Sequence, residues 1–163
     1  MSSVSRIFGV LGKFLRIDLT RRKSELTDIP LSWFMNYLGG RGLCAKFYAD
    51  EIGSDVHPFS PENKLIFFTG PLTSTFVPSS SKCGCSTKSP LTGRYLCTSA
   101  AGSFGPELKR SGYDGMIISG RSRELTYLEI LDGDVEFRSA THLRGSSTSE
   151  AQEAMRRDIK EPR

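Results

Sequence analysis

Thr69-Gly-Pro-Leu-Thr-Ser-Thr75, Ser79-Ser-Ser-Lys-Cys-Gly-Cys85, Thr87-Lys-Ser-Pro-Leu-Thr-Gly93 and Ser99-Ala-Ala-Gly-Ser-Phe-Gly-Pro-Glu-Leu-Lys-Arg-Ser-Gly-Tyr-Asp114 follow one another in a single stretch that decides how this chain folds. Small residues and hydroxyls are denser here than on either side, and short apolar runs separate them. Gly and Ser let a backbone approach a bound group and leave N–H donors unhindered. The pattern reads as loops laid over strands, facing an anionic ligand.

Within the stretch, Cys83 to Thr87 and Tyr95 to Thr98 read as strands. Ser89-Pro-Leu-Thr-Gly93 is the turn between them, with Pro90 fixing its own φ. Ser99 to Gly102 follows the second strand, Ser103 stands where an N-cap belongs, and Phe104 to Arg110 reads as a short helix with Pro106 in its first turn. Such a strand–Gly–helix junction is where phosphate commonly sits. Lys64 to Thr69 and Met116 to Ser119 are short apolar runs consistent with buried strands.

Upstream, Gly12 to Thr20 alternates apolar and polar residues as a half-buried strand does, and Glu25 to Ile29 reads as its return. Trp33 to Leu38 and Leu43 to Ile52 have helical spacing. Gly39-Gly-Arg-Gly42 breaks them apart, at a cost of about 1 kcal/mol per Gly in a helix interior. Two readings of the break stand: Arg41 and its neighbouring N–H groups meet an anion, or one helix ends and another begins. Gly53 to Asn63 is loop. Downstream, Leu125 to Leu131 and Val135 to Arg138 flank Asp132-Gly133-Asp134, a strong hairpin signal. A last helix spans about Ser149 to Ile159, with its cap within Ser146 to Ser149. Strands in quick succession with hairpin turns predict an α+β fold with mostly antiparallel sheets and a few short helices.

Composition excludes several classes. The net charge of +4 is too mild to argue for nucleic acid, and the basic clusters Arg21-Arg22-Lys23, Lys109-Arg110 and Arg156-Arg157 read as solvated turns or helix faces. No run approaches the roughly 20 apolar residues of a membrane helix, and no signal peptide is visible, so the expected location is the cytoplasm. Cys83-Gly-Cys85 followed by Cys97 leaves two readings: part of a metal site, or small residues buried on one strand face.

Taken in order, Gly12-Lys-Phe-Leu-Arg-Ile-Asp-Leu-Thr20, Leu38-Gly-Gly-Arg-Gly-Leu43, Phe59-Ser-Pro-Glu-Asn-Lys-Leu-Ile66, Thr69-Gly-Pro-Leu-Thr73, Thr87-Lys-Ser-Pro-Leu-Thr-Gly93 and Phe104-Gly-Pro-Glu-Leu-Lys109 with Gly112-Tyr-Asp114 resemble the N-terminal domain of the aldehyde ferredoxin oxidoreductase family. The resemblance runs from about Gly12 to Lys160. It implies a β-rich domain, residues 1–163, built of two related sheet-containing halves and incomplete at its C-terminal end. Family members are tungsten- or molybdenum-pterin enzymes that oxidise aldehydes to carboxylates and pass electrons through a [4Fe–4S] cluster to ferredoxin.

Carried over by position, the resemblance implies that Lys82 stands where the family has an Arg bridging pterin and cluster. Ser99 stands where an Asn binds the Mg2+ that joins the pterin phosphates, Ala101 where a residue contacts phosphate, and Gly102 at the retained helix start. Lys keeps the charge without the planar fork, and Ser is a shorter oxygen ligand. The implied cofactors are a tungsto- or molybdo-bis-pterin with Mg2+ and a [4Fe–4S] cluster ligated outside this chain. The implied partners are the remaining domains or subunits, ferredoxin and a second copy of the chain, with no nucleic acid. No catalytic residue is expected here. Against this stands a non-enzymatic scaffold of the same fold that has lost the cofactor.

Overall fold

The computed structural model describes residues 8–131 and 133–159. They form two compact units that meet in sequence at Arg121 and Ser122.

The first unit is a six-stranded sheet covered by short helices. In chain order it contains β1 (Lys13–Asp18), β2 (Lys23–Asp28), α1 (Leu31–Tyr37), α2 (Gly40–Glu51), β3 (Leu65–Thr69), β4 (Cys83–Lys88), β5 (Tyr95–Ala100), α3 (Phe104–Arg110) and β6 (Gly115–Ser119). The strands lie in the order β2-β1-β6-β3-β4-β5. Only β1 and β6 run parallel; the other neighbours are antiparallel. Hairpins at β1–β2 and β4–β5 put β2 and β5 at the edges.

Directly paired residues share a sheet face, so the registers sort the two sides. Phe14, Ile66, Phe68 and Ile117 lie on one side, where Leu43, Cys44 and Phe47 of α2 complete the core with Phe34 of α1. Phe47 stacks on Phe68 with ring centroids 4.9 Å apart and tilts against Phe14 at 4.9 Å. Burying one such ring contributes about 1.5–3 kcal/mol. The opposite side carries Phe67, Met116 and Cys85, and there α3 sets Phe104 against Phe67 at 5.5 Å.

The break at Gly39-Gly40 is an end and a new start. Leu38 donates its N–H to Phe34 O and closes α1, Gly39 takes φ +131, and α2 begins at Gly40, three residues earlier than helical spacing suggested. Gly39 lies so close to β3 that a Cβ would stand 2.8 Å from Thr69 O. A side chain is excluded there by both conformation and space.

The second unit contains β7 (Thr126–Leu131), β8 (Asp134–Ser139), a 3-10 turn at Thr141–Leu143 and α4 (Thr148–Ile159). Leu131 pairs with Asp134, so the hairpin turns on two residues, as the Asp-Gly signal requires; Asp132 itself lies outside the described residues. Arg138 on β8 is ion-paired with Glu129 on β7 and with Glu136. Ser147 caps α4: its Oγ accepts the Glu150 N–H at 3.3 Å, while Glu150 Oε2 accepts the Ser147 N–H at 2.7 Å. This reciprocal pair satisfies two donors that a helix start otherwise leaves unpaired. The architecture is α+β, with two sheets and mostly antiparallel strands.

Candidate functional site

One end of the six-stranded sheet gathers the segments that the sequence singled out. There β3 ends at Thr69, β4 begins at Cys83 and β5 ends at Ala100. Cys83 pairs with Ala100, so Lys82 and Ala101, each one residue further out, leave the sheet side by side. Lys82, Ala101 and Gly102 are all exposed. Gly102 has φ +100, and a Cβ on it would touch nothing within 4 Å. Among the described residues, the N–H groups of Gly102 and Ser103 make no hydrogen bond.

Ser99 departs from the expected loop. β5 runs two residues past Thr98, because β4 extends far enough to pair Gly84 with Ser99 and Cys83 with Ala100. Ser99 is therefore an exposed residue on an edge strand, held by its pairing with β4. The junction to α3 also differs from expectation. Ser103 stands at the N-cap with near-helical φ −82 and ψ −23, and its side chain makes no capping bond.

The helix that does reach this region from the other side is α2. A Cβ on Gly84 would stand 3.1 Å from Arg41 N and 3.1 Å from Gly40 C. The start of α2 thus lies directly on β4, opposite Ser99, and Arg41 is exposed. The floor formed by Lys82, Ser99, Ala101 and Gly102 is open at its surface and anchored beneath. An open, donor-bearing, cation-flanked floor suits a large anionic group such as a pterin phosphate.

The anchoring groups are residues that the sequence reading missed. Lys109, read as part of a solvated basic pair, is buried. Its Nζ donates to Gly70 O at 2.9 Å and Gly9 O at 2.5 Å and lies 3.1 Å from Asp114 Oδ1. Asp114 Oδ2 accepts the N–H groups of Leu11 and Gly12, and Asp114 O accepts the Thr69 hydroxyl and N–H. The available signal was the spacing of Lys109 and Asp114 across a Gly-Tyr turn. Lys88 is likewise buried, with Nζ donating to Ser54 O at 2.6 Å. Asn63 accepts the N–H groups of Lys64 and Lys88 and donates to Pro58 O. The Pro-Glu-Asn-Lys and Thr-Lys-Ser-Pro motifs therefore lock loop 53–63 against β4.

The cysteines divide between burial and half-exposure. Burial, with the other cysteines nearby, raises the Cys44 thiol to about 12 and that of Cys83 to about 11. Cys83 Sγ donates to Phe68 O, while Cys85 and Cys97 are half-buried. Among the described residues no three His, Cys, Asp or Glu side chains are grouped to hold a metal.

A second cleft, of about 540 Å³, opens at the opposite sheet end beside Asp18, Arg21, Glu51, Lys64 and Ser119. Its cations are tied to its own carboxylates: Lys64 to Glu51 at 2.6 Å and Arg21 to Asp18 at 3.7 Å. Glu62, which also lines the cleft, has no ion-pair partner among the described residues, so the charge left over there is negative.

With this geometry in place, the chain can be compared with known proteins. A family profile described as "Aldehyde ferredoxin oxidoreductase, N-terminal domain" matches residues 14–163. The chain is 40% identical over 153 residues to a tungsten-containing aldehyde ferredoxin oxidoreductase of Pyrococcus abyssi, covering 94% of this chain and 25% of that protein. It is 33% identical to an aliphatic sulfonate oxidoreductase, WOR-like subunit, of Pyrococcus furiosus, covering 92% of this chain and 24% of that one. The solved active-site complex BamBC of benzoyl coenzyme A reductase with 1,5-dienoyl-CoA superposes with a TM-score of 0.93 at 38% identity, over 96% of this chain and 24% of that chain. The chain spans about a quarter of the length of these relatives. It belongs to the aldehyde ferredoxin oxidoreductase family, with residues 14–163 corresponding to that family's N-terminal domain.

Proposed function

We propose that this chain is the part of a tungsten- or molybdenum-pterin oxidoreductase that cradles the cofactor. One observation carries the reading: Lys82, Ser99, Ala101 and Gly102 converge, exposed, at one end of a sheet whose centre is sealed by packed aromatic rings. Relatives with the names tungsten-containing aldehyde ferredoxin oxidoreductase, sulfonate oxidoreductase and benzoyl coenzyme A reductase share this part of the chain. Names so different in substrate support a shared task of holding the cofactor.

The bound metal–pterin group supplies the redox chemistry. This chain's residues bind and orient it. The Lys82 ammonium offers a point charge to a phosphate, without the two-pronged contact that Arg would give. The Ser99 hydroxyl would offer an oxygen to the Mg2+ of the bound cofactor. The free N–H groups of Gly102 and Ser103 donate to phosphate oxygens. Because the ladder and α2 hold these groups in advance, little reorganisation accompanies binding.

The full reaction proposed is aldehyde to carboxylate in the cytoplasm, with electrons passed through a [4Fe–4S] cluster held by other domains or subunits to ferredoxin. A second reading, a scaffold that has lost the cofactor, draws on Lys82 and Ser99 standing where the family has Arg and Asn. The test is the full-length protein from metal-replete cells. Aldehyde-dependent reduction of ferredoxin, together with a pterin fluorescence signal after oxidation, is expected. A pterin signal without aldehyde turnover would redirect the substrate; no pterin signal would favour the scaffold.

A further inference from the structure

We propose that Lys109 is a positioning residue for the cofactor seat, and that α3 acts as a clamp gripping both ends of the loop that delivers Lys82. The proposal rests on the reading of the seat given above. The loop between β3 and β4 runs from Gly70 to Lys82, and its middle, from Thr75 to Ser79, is exposed. Left to itself such a loop would sample many conformations, and its last residue would be poorly placed.

Two residues of α3 prevent this. Gly105 and Lys109 are four apart and share one face of the helix. Lys109 Nζ holds the first end through Gly70 O at 2.9 Å. Gly105 holds the other end by contact: a Cβ there would stand 2.8 Å from Ser81 O and 3.5 Å from Thr73 Cγ2. Thr73, itself buried, links the ends by accepting the Gly70 N–H at 3.1 Å and donating to Lys82 O at 3.5 Å. The same helix follows directly on Ser99 to Gly102, so one rigid element sets both banks of the seat.

Lysine suits the position chemically. Its ammonium donates to two carbonyls, Gly9 O and Gly70 O, and ion-pairs with Asp114 Oδ1, an oxygen that accepts no hydrogen bond. A neutral side chain takes the ammonium from Gly9 O and Gly70 O, leaving Gly70 O with the Thr73 N–H, and leaves Asp114 without its counter-charge. Glu51→Gln serves as the control: it removes an ion-paired carboxylate at the opposite sheet end and lowers stability without touching Lys109 or either end of the loop.

The test compares full-length wild type, Lys109→Gln and Glu51→Gln, each confirmed folded by circular dichroism. It reads the rate of metal and pterin loss on dialysis and the hydrogen exchange of the Gly70–Lys82 amides. Lys109→Gln is expected to lose cofactor about 10–100-fold faster, the range seen when a residue supporting a direct ligand is removed. Its loop amides should exchange faster, while Glu51→Gln stays near wild type in both readouts.

Should Lys109→Gln not fold, Gly105→Ala displaces the Ser81 end of the same loop and is expected to show the same pair of effects. Wild-type cofactor retention in a folded Lys109→Gln or Gly105→Ala overturns the proposal. So does equal loss from Glu51→Gln, which would mark a general loss of stability. A wild-type protein that holds no pterin is a distinct result: it overturns the cofactor reading itself, and the role of Lys109 with it.

Discussion

Gly84 and Ser99 pair across β4 and β5, and the space a Gly84 side chain would fill is taken by the backbone of α2, 3.1 Å away at Arg41 N. Ser99 and Gly84 thus share the sheet face on which the start of α2 packs, and β4 has no side chain at the crossing. Gly84→Ala pushes against helix backbone, which yields poorly. A loss of about 1–3 kcal/mol is expected from such overpacking. Urea denaturation measures it, and a neutral substitution would mean that α2 slides freely on β4.

Asp114 is buried with Lys109 as its one cationic partner among the described residues, and it also accepts two backbone N–H groups from residues 11 and 12. Removing one member of a buried pair leaves the other charge without compensation, at a cost of about 3–5 kcal/mol. Asp114→Ala is therefore expected to lower stability by that amount in chemical denaturation. A loss below about 1 kcal/mol would show that water reaches Lys109 and replaces the carboxylate.

The Glu51 carboxyl gives a pH dependence with a definite sign. Burial pushes it upward, but hydrogen bonds and charge from Arg16 and Lys64 outweigh that and hold it below the usual range. A lowered carboxylate pKa stabilises the fold above the unfolded value of about 4.3, and that contribution fades as pH falls through the lower native value. Glu51→Gln is expected to be less stable than wild type at neutral pH, with the gap narrowing in acid. Denaturation midpoints measured across that range decide it; a constant gap contradicts the ion-pair account.

The thiols titrate the other way. Burial raises Cys44 to about 12 and Cys83 to about 11, above the unfolded value of about 8.5. Their contribution to stability is complete below the unfolded value and is lost as pH climbs toward the native ones. In mildly alkaline buffer, iodoacetamide is expected to label the half-exposed Cys97 and Cys85 first, and Cys44 and Cys83 only on unfolding. Mass spectrometry of labelled peptides reads the order, and early labelling of Cys44 would contradict its place in the core.

Most elements of this fold are legible in the chain because each has a local period or turn signal. The apolar run at Ile66 to Phe68 and the Asp-Gly turn appear where local rules put them, whereas β1, read as a half-buried strand, buries Phe14 on one face and Leu15 and Ile17 on the other. What local rules miss is set by distant partners. Ser99 lies on a strand because Gly84 pairs with it, and nothing in Thr98-Ser-Ala100 alternates in a way that shows this. Lys109 looks solvated beside Arg110, yet its acceptors lie 39 and 100 residues away in sequence. The parallel pairing of β1 with β6 joins residues about as far apart, beyond the reach of any local pattern. Lys82, Ser99, Ala101 and Gly102 are proposed as a seat on the family resemblance, while the contacts of Lys109 appear only in three dimensions.

The central claim is that the exposed floor at Lys82, Ser99, Ala101 and Gly102 holds a metal–pterin group. The most direct measurement is tungsten, molybdenum and pterin per polypeptide in full-length wild-type protein and in the Lys82→Ala, Ser99→Ala double variant, both prepared from metal-replete cells. Wild type is expected to carry one of the metals together with pterin, and the folded variant to retain at least about tenfold less. Metal-free and pterin-free wild type, or a variant that retains as much as wild type, would contradict the account.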